Sequence, residues 1–68
     1  MEGIKINLDE VIKSRNITSK ELAKRINITE ANLSILKTGK AKGIRFETLM
    51  NICRELDCQP GDILEYRK

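Results

Sequence analysis

Apolar residues recur at helical spacing in four stretches of this chain and at alternating spacing near its two ends. Ile4-Lys5-Ile6-Asn7-Leu8 alternates apolar and polar, the period of a short strand. Leu8, Val11 and Ile12 then form one stripe of a first helix that starts at Asn7 or Asp9 and runs through about Ser14. Leu22, Ala23 and Ile26 mark a second helix from Ser19 to about Ile26, and Leu33 and Leu36 a third from Glu30 to about Lys37. A fourth, Phe46 to about Leu56, carries Leu49, Ile52, Cys53 and Leu56, with Phe46 expected to help close the core. Pro60 suits the first turn of a short fifth helix, and Asp62-Ile63-Leu64-Glu65-Tyr66 reads as a second extended segment.

The tripeptide Asn-Ile-Thr occurs twice, at 16–18 and 27–29. As N-x-[ST] sequons the two copies, with Asn32-Leu33-Ser34, would accept glycans. The opening MEGIKINLDEV has no basic n-region, apolar h-region or small-residue cleavage site, so a cytoplasmic location is expected and the sequons read as chance. As helix punctuation the repeat makes sense. Thr18 and Thr29 are N-caps, whose hydroxyls accept from a free N–H of the first turn. Glu21, three residues after Thr18, would complete a capping box, and Ile17 with Leu22 and Ile28 with Leu33 would form hydrophobic staples. Asn27 tolerates the left-handed backbone that ends a helix sharply. Two helix starts eleven residues apart leave about eight residues of helix and a three-residue turn, the spacing of a helix-turn-helix.

Sixty-eight residues make one small domain, 1–68, without room for a second core or a large substrate cavity. There is no histidine or tryptophan, and Phe46 and Tyr66 are the only aromatics. Catalysis and single-strand stacking both lose support, so no catalytic residue, cofactor, metal, membrane or small-molecule ligand is expected. Cys53 and Cys58 are too few for a metal site without histidine and are not spaced as C-x-x-C; buried free thiols are the expectation. The glycines of Thr38-Gly39-Lys40-Ala41-Lys42-Gly43 do not make a P-loop, since three residues separate them and Ile44-Arg45 follows.

Charge changes the picture more. Residues 13–45 carry nine cations and two acids, a net of plus seven, whereas 1–12 and 46–68 are each minus two. A polyanion is the partner such a segment suits. On the third helix, Ala31, Ser34, Ile35 and Thr38 lie opposite Leu33 and Leu36, with Glu30, Asn32 and Lys37 on the flanks. A helix that enters a groove about 12 Å wide needs such small and polar side chains on its outward face.

The run TSKELAKRINITEANLSILKTGKAKGIRFETLMNICRELDCQPGDIL resembles the Cro and phage-repressor type helix-turn-helix of the XRE family. Glu21-Leu22-Ala23, Leu33-Ser34, Gly39 and Thr48-Leu49 match together, and both chain ends look most like the small single-domain, YozG-like members. The resemblance implies an all-α, five-helix, lambda-repressor-like domain that binds double-stranded DNA sequence-specifically as a transcriptional regulator, usually as a homodimer on a palindromic operator. By position, Glu30, Ala31, Ser34 and Ile35 would face base edges. Ser19, Lys20, Thr29, Asn32, Lys37, Thr38, Lys40, Lys42 and Arg45 would line the backbone. Three positions depart from the common pattern: Glu30, where glutamine or another neutral or basic residue is usual and where the acid could accept from a cytosine amino group; Lys37, where many members have glutamate; and Asn27, where many have glycine.

The chain ends lie outside the five helices, and they are expected to pair as a small antiparallel sheet that, with the last helix, flanks a two-fold contact. Two other readings remain: an antitoxin or phage-type control protein with a protein partner, and an interaction module that has lost DNA affinity. The basic middle segment favours DNA over the latter.

Overall fold

The computed structural model describes residues 2–68. Strand β1 (Gly3–Ile6) leads into helices α1 (Leu8–Ser14), α2 (Ser19–Arg25), α3 (Glu30–Lys37), α4 (Phe46–Leu56) and α5 (Pro60–Ile63), and strand β2 (Leu64–Arg67) ends the chain. The helix starts and the pairing of the chain ends match the sequence expectations.

Four helix ends share one chemistry. Asn16, Asn27, Gly39 and Asp57 follow α1 to α4 with φ of 54°, 59°, 76° and 50°. At each, the next residue closes a long backward hydrogen bond: Ile17 N–H to Ile12 O (3.5 Å), Ile28 to Ala23 (3.0 Å), Lys40 to Ile35 (3.2 Å) and Cys58 to Cys53 (3.0 Å). This is the Schellman arrangement, which satisfies terminal carbonyls and brings the two closing residues together. The tripeptide repeat thus has three tasks. Its asparagine stops one helix, its isoleucine packs half-buried against the core, and its threonine starts the next helix.

The caps behave as expected on the hydroxyl side: Thr18 Oγ1 accepts from Glu21 N–H at 3.1 Å and Thr29 Oγ1 from Asn32 N–H at 3.0 Å. The expected box at Thr18 is only half made. The Glu21 carboxylate turns instead to Arg25 Nε at 3.2 Å, a charged donor one helical turn on. A reciprocal bond of the boxed kind appears where the sequence reading had not placed one, from Gln59 N–H to Asp62 Oδ2 at 2.9 Å in front of α5.

The core contains Leu8, Ile12, Leu22, Ala23, Ile26, Leu33, Ile52, Leu56 and Ile63, all buried. Burying a side chain of this size is worth about 1.5–3 kcal/mol, so in so small a domain each is a large share of the stability. Two expectations are corrected. Phe46 does not close the core; it is 89% exposed. At about 100° per residue it lies about 60° around α4 from Leu49 and about 100° from the Ile52–Leu56 line, on the flank of the helix. Cys53 and Cys58 are free but only half-buried. They are the closing pair of the α4 Schellman motif, and burial, then the neighbouring Cys53, pushes the Cys58 thiol up to about 11.

β1 and β2 pair antiparallel, with Gly3 opposite Arg67, Ile4 opposite Tyr66, Lys5 opposite Glu65 and Ile6 opposite Leu64. Asn7 ties the sheet to the helices: its N–H donates to Ile63 O at 2.7 Å and its Nδ2 to Glu65 Oε1 at 3.2 Å.

Asn27→Ala should cost about 1–2 kcal/mol, because a Cβ without a local hydrogen-bonding group disfavours the left-handed backbone. Asn27→Gly should stay within about 0.5 kcal/mol of the native chain. Urea unfolding measures both.

Candidate nucleic-acid interface

Helix α3 is set by what its inner side meets. Leu33 is fully buried, Leu36 is half-buried against the same core, and Glu30, Ala31, Asn32, Ser34, Ile35 and Thr38 are exposed. Ile35 is the only large apolar side chain on that outward face, at 45% exposure. Both leucines are expected on the buried side; Leu33 is fully buried and Leu36, in the last turn of α3, is half-buried.

The C-terminal end of α3 is held by an ionic brace. Lys37 Nζ lies 3.3 Å from Asp9 Oδ1 on α1 and donates to Ser19 Oγ on α2 at 2.7 Å. Lys13 reaches the other Asp9 oxygen at 3.1 Å. The bond from Lys13, then that from Lys37, holds the Asp9 carboxyl below its usual 3.8. One lysine, Lys37, therefore ties α3 to both α1 and α2. Ser19 and Lys37, both expected along the DNA backbone, are bonded to each other in this brace.

Other cations of the basic segment are also engaged. Arg15 Nε donates to Leu56 O at 2.7 Å and its Nη2 to Asp57 O at 3.3 Å, so its charge sits on the C-terminal carbonyls of α4. Arg25 pairs with Glu21. Among the described residues, Lys20, Lys24, Lys40, Lys42 and Arg45 make no ion pair or side-chain hydrogen bond. Lys20 and Lys24 belong to α2, and the other three to the segment between α3 and α4.

The expected contact residues do not all meet. Asn32, Ile35 and Arg45 border one open cleft with Ile28, Leu36, Gly43, Ile44 and Thr48, of about 450 Å³. Thr29 Oγ1 accepts in the α3 cap, and the Thr38 hydroxyl donates its proton to Ile35 O at 3.3 Å. Lys42 is exposed and also borders a separate apolar groove with Ile4, Ile6 and Ile44. Asp9 is not legible as part of the site from the sequence, since its part in holding α3 has no signal along the chain beyond an acid in the first turn of a helix.

A family model described as the Cro/C1-type HTH DNA-binding domain matches residues 7–68. The chain belongs to that family. One relative, named as an uncharacterized HTH-type transcriptional regulator YozG, comes from Bacillus subtilis (strain 168). It is 59% identical over 65 residues, covering 96% of this chain and 77% of the relative. Within the matched residues, α2 and α3 are joined through the left-handed Asn27. Among the described residues, no helix is long and apolar enough to cross a membrane.

Since the Asp9 carboxyl is depressed in the folded chain, its contribution is full above the ordinary value and is lost as pH falls through the lowered one. Asp9→Asn should therefore lower the urea midpoint at about pH 7, and the difference should close as pH falls below the ordinary 3.8 and through the lowered value. Equilibrium unfolding across that range measures it.

Proposed function

We propose that the chain is a transcriptional regulator that places α3 in the major groove of double-stranded DNA. Glu30, Ala31, Ser34 and Ile35 read base edges, and Lys20, Thr29, Asn32, Thr38, Lys40, Lys42 and Arg45 meet the phosphate backbone. One observation carries this reading: the exposed side of α3 is made of small or polar residues and a single isoleucine, and cations with no intramolecular partner stand on the elements beside it. A cation already bonded inside the protein has less to gain from a phosphate than one that is solvated. Ser19 supports the interface through Lys37 and keeps its hydroxyl proton for a phosphate oxygen. Lys37 braces α3 and adds positive charge at its end.

The regulator works as a homodimer on a palindrome, in the cytoplasm. Family membership and the YozG relative support regulation through DNA, and a two-fold pair of recognition helices reads half-sites about 10 base pairs apart, centre to centre.

If about four cations per protomer meet phosphates, a dimer neutralises about eight, and log K should fall against log salt with a slope near about −7. Replacing Lys40 and Lys42 together by Ala should weaken all sequences alike and flatten the slope, as read by fluorescence anisotropy at several salt concentrations. Affinity that does not change with salt would falsify the electrostatic assignment. Ser34 can donate or accept at a base edge and Ile35 can pack on a thymine methyl. Selection from a random duplex pool should give an altered consensus for Ser34→Ala and Ile35→Ala, at about 1–3 kcal/mol per lost base contact. An unaltered consensus in both variants would transfer specificity to DNA shape.

A further inference from the structure

The exposed flank of α4 is not used by the DNA-binding face. Phe46 is 89% and Met50 56% exposed, an unusual placement for the largest apolar side chain of a 68-residue protein. They stand one helical turn apart, and with Leu49, Cys53, Cys58 and Pro60 they line a shallow surface of about 470 Å³ that Arg54 borders. Among the described residues, the other exposed large apolar side chains lie elsewhere, Ile35 on α3 and Ile4 and Tyr66 on the sheet.

We propose that this flank binds a second copy of the chain, α4 against α4 in antiparallel fashion, with Met50 on the two-fold axis. The proposal rests on the dimeric reading above, and it moves the two-fold contact from the chain-end sheet and last helix, where the sequence alone sets it, to the flank of α4. The order of residues along the flank favours a second copy over an unrelated partner, because it is complementary to itself. A two-fold through Met50 sets Phe46 of one protomer opposite Arg54 of the second copy, and the reverse, as an isologous contact requires. A guanidinium over an aromatic face is attractive. Arg54 Nη2 donates to Asn51 Oδ1 at 2.8 Å and its Nε lies 4.0 Å from Glu55 Oε2, a long pair at a side chain that remains 64% exposed, so the guanidinium face is open to a ring. Glu47, next to Phe46 and exposed, comes beside the same Arg54 of the second copy, so each end of the contact pairs a cation with both a ring and a carboxylate.

The geometry also suits DNA. Phe46 directly follows Arg45, so the contact begins where the basic loop ends. Four residues of rise on each side of Met50 and an interhelix distance of 8–10 Å bring the two Phe46 positions to about 15 Å of each other. The two basic loops then border one continuous surface.

Sedimentation equilibrium of the full chain without DNA tests the contact. Phe46→Ser and Met50→Ser should each weaken self-association about tenfold or more while leaving the helical content in place, since both side chains are exposed in the single chain. Arg54→Glu should weaken it, and Glu47→Arg combined with Arg54→Glu should restore much of the loss. Ile4→Ser and Tyr66→Ser should have no effect. Self-association that survives Phe46→Ser and Met50→Ser, or that is lost in Ile4→Ser and Tyr66→Ser instead, overturns the proposal. A native chain that is monomeric at micromolar concentration also overturns it and leaves the flank to another protein. Binding of a single half-site, measured separately, reports on the DNA reading alone, so the two can fail independently.

Discussion

The fold depends on stopping four helices within a residue and restarting the chain in a new direction. A helix that continued past Ile26 would carry α3 away from the core. At the junction, Asn27 takes a left-handed backbone, its neighbour Ile28 closes a 3.0 Å bond to Ala23, and Thr29 opens α3 two residues after the turn. The left-handed conformation costs an L-residue about 1–2 kcal/mol, and only glycine and, through a short polar side chain, asparagine or aspartate adopt it routinely. Those are the residue types found at all four stops. The Schellman bonds and the burial of Ile17 and Ile28 offset that cost locally.

Once the turns fix directions, packing fixes positions. Leu22 on α2, Leu33 on α3 and Ile52 on α4 are completely buried in one core, and the small Ala23 of α2 is buried with them. Hydrophobic contact alone leaves a helix free to slide or roll at modest cost. The Asp9–Lys37–Ser19 brace opposes that for α3, because it holds the end of the helix to two others by directional bonds. It lies at the half-exposed rim, where an ion pair escapes the large desolvation penalty of the interior and is correspondingly weak, so its part is in orientation more than in stability.

The same distinction sorts the cations. Arg15 satisfies carbonyls at the end of α4, Arg25 pairs along its own helix, and Lys13 and Lys37 share Asp9. Along the chain these look no different from Lys20, Lys24, Lys40, Lys42 and Arg45. In three dimensions the first group holds the scaffold together, and the second keeps its charge for solvent or a polyanion.

Local chemistry determined much of this protein from the sequence alone. Threonine caps, left-handed asparagines and 3-4 apolar spacing act within a few residues, so the helix starts, the turn between α2 and α3, the outward face of α3 and the pairing tendency of the chain ends were legible in order. So was the family, through Glu21-Leu22-Ala23, Leu33-Ser34 and Gly39 read together. The tertiary structure decided what depends on residues far apart. It turned Phe46 outward, because the angle at which α4 meets the core is set by Ile52 and Leu56 and by helices that the periodicity of α4 alone cannot locate. It bound Arg15 to a helix end 41 residues away and Lys37 to Asp9 and Ser19, since a lysine or arginine finds its partner by proximity in space, and spacing along the chain carries no record of that.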